Sequence, residues 1–104
     1  MITHETRRES YLNIISDLGT RQSQVFTELL CFPQGTTASE LSFHMHDIGF
    51  FRSPDRNNVH PRLNEMVELS LVEVIGKRQC SMTNKTVAVY KVKGEVYGSV
   101  MEVL

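Results

Sequence analysis

No apolar run in this 104-residue chain approaches the roughly 18 residues of a membrane-crossing helix, so no membrane partner is expected. The opening stretch MITHETRRES has no apolar core of the kind that marks a secretory signal, which makes the cytoplasm the expected compartment. Cysteine is scarce: Cys31 and Cys80 form neither a CxxC pair nor a disulfide framework, and two reduced thiols suit that compartment. Cys31, beside an apolar helical stripe, reads as a core residue, and Cys80 as an exposed thiol. There is no phosphate-cradling glycine loop and no nucleophile–base pair at a recognisable spacing, so neither an enzyme nor a cofactor is expected. His44 and His46 are two residues apart, which on a helix turns their imidazoles about 200° apart and prevents them from chelating one ion. No other set of His, Cys and carboxylate residues has a ligand spacing along the chain, so no metal is expected.

Excess charge is also missing: the net value is −1. Its distribution is uneven, however. Residues 1–51 hold three basic and six acidic side chains, whereas residues 52–93 hold eight basic against four acidic, a local net of +4. A positive stretch of this kind is the electrostatic footprint that nucleic acid selects. With 40% apolar and 22% charged residues, the composition is that of one ordinary globular domain.

Apolar spacing divides the chain. Tyr11, Ile14, Ile15 and Leu18 form a helical stripe over 5–18, ended by Gly19. Thr20 can cap a second helix, 21–32, with Val25, Phe26, Leu29 and Leu30 as its stripe, stopped by Pro33 and Gly35. The stretch TASE offers a capping box between Thr37 and Glu40, opening a third helix over 38–48 with Ala38, Leu41, Met45 and Ile48 inward and Gly49 in the left-handed closing position.

The stretch NNVHPRLNEMVEL has Val59, Leu63, Met66 and Val67 at helical spacing, yet it contains Pro61. A helix has no internal partner for its first amides, so the missing N–H is harmless there and costs about 3 kcal/mol deeper in. Pro61 therefore marks a beginning, predicted at 57–58. After Leu69 the period changes to two: LVEVIGKR and KTVAVYKV read as a hairpin around a loop at 79–84. Residues 94–104 carry apolar side chains but two glycines, and receive no assignment.

Over residues 20–92, the helices TASELSFHMHDI and NNVHPRLNEMVEL and the hairpin SLVEVIGKR…KTVAVYKV resemble a winged helix-turn-helix domain of the MarR-like type. The likeness is strongest in VHPRLNEMVELSLVEV. Two features depart from it: Ser70 stands where the family usually has glycine, and eight residues, 49–56, separate helices normally joined by three or four.

The resemblance implies an α+β fold with an N-terminal helix (1–19), a core of three helices and a hairpin wing (20–93), and a tail (94–104). It further implies a sequence-specific double-stranded DNA-binding protein, a small transcriptional regulator. The helix at 57–69 would enter the major groove, and the wing at 77–85 would lie on the backbone or minor groove. The side chains that suit base edges and phosphates are Arg56, Asn57, Asn58, His60, Pro61, Arg62 and Asn64 on the helix and Lys77, Arg78 and Lys85 on the wing. The alternative is a winged-helix module for protein–protein assembly, such as an accessory factor in replication or in a mobile element.

The three core helices can bury their stripes on one another, so residues 20–93 are expected to close alone. Tyr11, Ile14, Ile15, Leu18 and Val100 are then left chiefly for a homodimer interface, the alternative being that the helix and tail dock back on the chain's own core. Removing 1–18 and 94–104 is accordingly expected to leave a folded monomer.

Overall fold

The computed structural model describes residues 4–103. In chain order these form α1 (His4–Ser16), α2 (Thr20–Leu29), a two-residue strand β1 (Thr36–Thr37), α3 (Ala38–Asp47), a 3-10 turn (Arg56–Asn58), α4 (His60–Glu68), the hairpin β2 (Val72–Gln79) and β3 (Thr86–Val92), and α5 (Gly94–Val103). The fold is α+β, with helices packed on a three-stranded antiparallel sheet of order β1-β3-β2, an arrangement compatible with a winged-helix-like domain.

Local chemistry sets most helix boundaries. At the start of α3, Thr37 Oγ1 accepts from the Glu40 amide at 3.2 Å while Glu40 accepts from the Thr37 amide, so the predicted capping box forms. The α2 cap is Gly19 instead of Thr20: Gln22 Oε1 accepts from the Gly19 amide at 3.0 Å. The α2 helix ends at Leu29, three residues earlier than its apolar stripe suggested. Pro61 occupies the second position of α4, and the first helical bond runs from the Leu63 amide to the Val59 carbonyl. The proline does mark a boundary, but the helix begins at His60, because Asp55 caps a separate 3-10 turn by accepting from the Asn57 amide.

The long 49–56 segment is anchored, not loose. Phe51 is buried beneath the Arg21 guanidinium, 4.6 Å from the ring centroid. His46 Nδ1 donates to the Phe51 carbonyl at 3.0 Å, which assigns the proton to that nitrogen.

Gly49 takes the expected left-handed conformation at the end of α3, with φ +97°. Ser70 takes it too, with φ +64°, between α4 and β2. A side chain there costs about 1–2 kcal/mol, part of which glycine would return to the flexibility of the unfolded chain. Ser70→Gly should therefore stabilise the fold by about 0.5–1 kcal/mol, read as a rise of a few degrees in thermal midpoint. An unchanged or lower midpoint would contradict this.

The hairpin pairs Val72 with Val92 at one end and Gln79 with Thr86 at the other, with a bulge at Ile75 between Val74 and Gly76. On the other edge of β3, Thr36 and Thr37 lie opposite Tyr90 and Val89. No period-two pattern marks so short a strand. Its approach depends on Gly35, where a Cβ would stand 2.9 Å from Val89 Cγ1 and 3.1 Å from the Tyr90 carbonyl.

The core gathers Val25, Phe26 and Leu29 of α2, Leu41 and Met45 of α3, Leu63 and Met66 of α4, and Leu71, Val72, Tyr90 and Val92 around the sheet. Ile48, predicted inward, caps the C-terminus of α3 and is 50% exposed.

The larger correction concerns the tail. Residues 94–103 are helical, and Val96 and Val100 of α5 are buried in the same core. Tyr11, Ile14 and Ile15 of α1 and Leu18 just after it pack partly against it, and Tyr11 donates to Glu95 at 2.7 Å while Arg8 pairs with Glu102 at 2.8 Å. The stripe expected chiefly at a dimer interface thus takes the alternative role of docking on its own chain, and Val100 lies inside instead of on an open face. Helix α5 thus completes the core that residues 20–93 were expected to close by themselves. Residues 1–3 of the predicted N-terminal element and Leu104 of the tail lie outside the described residues. No helix among those described is long and apolar enough to cross a membrane.

Candidate nucleic-acid interface

The start of α3, the 3-10 turn with the first residue of α4, and the hairpin converge on a cleft of about 240 Å³. Ala38 and Ser39 contribute from α3, Arg56 from the turn, His60 from α4, Lys77 from β2, and Thr86, Val87, Ala88 and Tyr90 from β3. Three residues predicted from sequence as DNA contacts, Arg56, His60 and Lys77, thus line one concavity although they lie up to 21 positions apart in the chain.

The floor is ordered. His60 stands edge-on to Tyr90, with centroids 6.3 Å apart, and Tyr90 donates its phenolic hydrogen to Asn64 Oδ1 at 3.1 Å. Burial pushes the His60 imidazole below its ordinary 6.5, and the neighbouring Arg56 charge adds to this. At neutral pH the ring is therefore uncharged, leaving Arg56 and Lys77 as the cleft's cations. Burial also raises the Tyr90 phenol, which stays protonated as a donor.

Other predicted residues are distributed differently. Asn57, Pro61 and Asn64 are exposed and Asn58 half-buried, while Lys85 is exposed beside the hairpin tip. Arg62 turns to its own helix: Nη2 donates to Glu65 Oε2 at 2.9 Å and Nε lies 2.8 Å from Oε1. Glu65 also accepts from Gln22 Nε2 at 2.9 Å, joining α4 to α2. The apolar spacing of α4 does not encode this contact, because the partner comes from another helix.

Arg78 is likewise engaged. Its guanidinium grips both oxygens of Glu40, and the Ser81 amide and hydroxyl donate to Glu40 Oε2 at 3.0 and 2.9 Å. One carboxylate thus closes the capping box of α3 and ties the hairpin tip to it. The Arg78 hydrogen bonds are the main reason that Glu40 titrates far below its ordinary 4.5. Arg62 and Arg78 are therefore poor candidates for phosphate contacts, since binding DNA would first break pairs already formed.

The Glu40 cluster predicts a pH dependence. Its folded carboxyl titrates below the unfolded one, so its stabilisation is fully present above about pH 4.5 and is lost as pH falls from there. Because the Arg78 side chain is 44% exposed, solvent screens much of the attraction, and a cost of about 1–2 kcal/mol is appropriate for Glu40→Gln at pH 7. Denaturant titrations should show that difference shrinking below pH 4.5; a gap independent of pH would refute the ionic origin.

The cysteines exchange their expected environments. Cys80 is buried, with its sulfur 3.3 Å from Thr37 Oγ1, whereas Cys31 is exposed. Burial opposes the Cys80 thiolate, but hydrogen bonds from Thr37, Met82 and Thr83 outweigh it and lower the thiol's pKa. The tip residue is buried because the loop folds back on α3, a contact no spacing in the chain encodes. Ser39, Thr86 and Tyr90 were absent from the predicted site for a similar reason: they belong to three-dimensional neighbours of α4, and their only signals were a helix start and a strand alternation.

Comparison with protein-family models, curated proteins and solved structures found no match for this chain.

The site therefore stands on its geometry. It is an open cleft between a short helix and a hairpin, with cations on both sides and an ordered aromatic floor. Its lining mixes the cations Arg56 and Lys77 with the apolar Ala38, Val87 and Ala88.

Proposed function

We propose that the chain is a winged-helix protein that binds double-stranded DNA, acting as a small transcriptional regulator. The observation that carries this reading is the cleft in which Arg56 of the 3-10 turn and His60, at the start of α4, meet Lys77 of the hairpin. The two elements required to contact base edges and phosphate together are contiguous there. Asn57, Asn58 and Asn64 supply amides able to donate and accept on base edges, and the exposed Pro61 ring suits a thymine methyl. Asn64 keeps its NH2 group for that role while its oxygen holds Tyr90. Arg56, Lys77 and Lys85 are the phosphate contacts, with Lys85 carrying the wing's share. A homodimer on a two-fold symmetric site remains part of the proposal. Its contacts must come from exposed apolar residues such as Met101 and Val103, since Val100 is buried.

Titrating a pool of duplex DNA at several salt concentrations tests the reading. Three phosphate contacts correspond to a log–log slope of about −3 per protomer, at roughly −0.9 per contact. A slope near zero would reject it. That outcome would favour the assembly-module alternative, which draws on the exposed Val74, Ile75 and Met82 of the hairpin and on the pairing of Arg62 and Arg78 with acidic residues.

A further inference from the structure

Away from the cleft, the folding of α3 against α2 brings three unlike donor side chains together. Glu28 lies in the last turn of α2, Cys31 in the turn that follows, and His44 in α3. One ligand atom from each, a carboxylate oxygen, a thiol sulfur and an imidazole nitrogen, lies within 4.8 Å of the other two. His44 Nε2 stands 2.9 Å from Glu28 Oε1, and Phe32 meets the imidazole edge-on, with centroids 5.1 Å apart at 89°. The Phe32 contact holds the ring in place, and the backbone around Cys31 is fixed by its amide bonding to the Glu28 carbonyl at 3.1 Å.

We propose that Glu28, Cys31 and His44 form a transition-metal site, suited to Zn²⁺, that clips α2 to α3. Thiolate, imidazole and carboxylate are all zinc ligands, at about 2.3, 2.0–2.1 and 2.0–2.2 Å, which spaces tetrahedral donor atoms about 3.3–3.8 Å apart. Reaching that geometry takes an approach of the exposed Cys31 sulfur by about 1.5 Å at most, through side-chain rotation, and a separation of the 2.9 Å His44–Glu28 pair by about 0.4 Å. The sulfur excludes Mg²⁺ and Ca²⁺, which take oxygen ligands. The fourth position opens to solvent beside Cys31 and takes a water molecule. Binding releases the Cys31 thiol proton to solvent, and the ion replaces the hydrogen bond between His44 and Glu28. This site is independent of DNA binding.

The test uses the full chain, reduced and stripped with a chelator, titrated with Co²⁺ as a spectroscopic stand-in for Zn²⁺. One equivalent per chain should produce a near-ultraviolet sulfur-to-cobalt charge-transfer band, which Zn²⁺ then displaces. Cys31→Ser should remove the band, and His44→Ala should weaken binding at least tenfold. His46→Ala should bind as the unaltered chain does, because His46 serves the Phe51 carbonyl. Circular dichroism establishes that each variant is folded, and the exposed position of Cys31 keeps that substitution informative. Absence of the band at excess Co²⁺, its persistence in Cys31→Ser, or equal weakening by His44→Ala and His46→Ala would each overturn the proposal.

Discussion

Replacing Arg56 and Lys77 together by glutamate should lower affinity for duplex DNA by at least about a hundredfold at 0.1 M salt. At roughly 0.9 counterions released per phosphate contact, each lost contact removes about a factor of ten at that concentration, and the introduced carboxylates add repulsion. Both side chains are exposed, and neither forms an ion pair among the described residues, so the fold should lose little. Fluorescence anisotropy with a labelled duplex, alongside thermal midpoints of the same preparations, separates the two effects. The comparison pair is Arg62→Gln with Arg78→Gln. Because these arginines already hold Glu65 and Glu40, the pair should cost stability while changing affinity far less. Unchanged binding by the Arg56/Lys77 variant would remove the cleft from the proposed interface.

Val96→Asp should leave the chain largely unfolded at 25 °C. Val96 is fully buried among the apolar residues of the common core. An unpaired charge in such a place costs several kcal/mol, comparable with the 5–15 kcal/mol that separates typical domains from their unfolded state. Val103→Asp is the matched control. It introduces the same charge into the same helix at a residue 56% exposed, and should shift the midpoint by no more than a degree or two. Near-ultraviolet circular dichroism, which reports fixed aromatic packing, is the appropriate readout. A Val96→Asp chain with native midpoint and spectrum would show that α5 is dispensable. The same comparison explains why a chain trimmed to 20–93 should fail as a domain, where helix patterning alone had it closing.

Legibility in the sequence followed the range of the interaction. The Thr37–Glu40 box, Pro61 near the start of its helix, Gly49 at a helix end and the alternating strands are settled within a few residues of chain, where hydrogen-bond geometry and backbone sterics act directly. The positive stretch holding Arg56 and Lys77 was visible for the same reason: composition can be counted locally. Helix α5 was not visible, because Gly94 and Gly98 lower its intrinsic propensity and only the burial of Val96 and Val100 against the rest of the core offsets this.

What the sequence by itself determined, then, was the inventory: helices with one apolar face, a hairpin, an N-terminal boundary at a proline, and cations gathered in residues 52–93. The tertiary structure alone decided which of those groups are available. It placed Glu40 against Arg78 across 38 positions and Glu65 against Arg62 and Gln22, leaving Arg56 and Lys77 to line the cleft. It buried Cys80 beneath a folded-back tip, exposed Cys31, and brought His44 to Glu28 across 16 positions. The physical reason is that charge pairing, desolvation and metal chelation act over a few ångströms of space, whereas spacing along a chain reports separation only within one helix or strand.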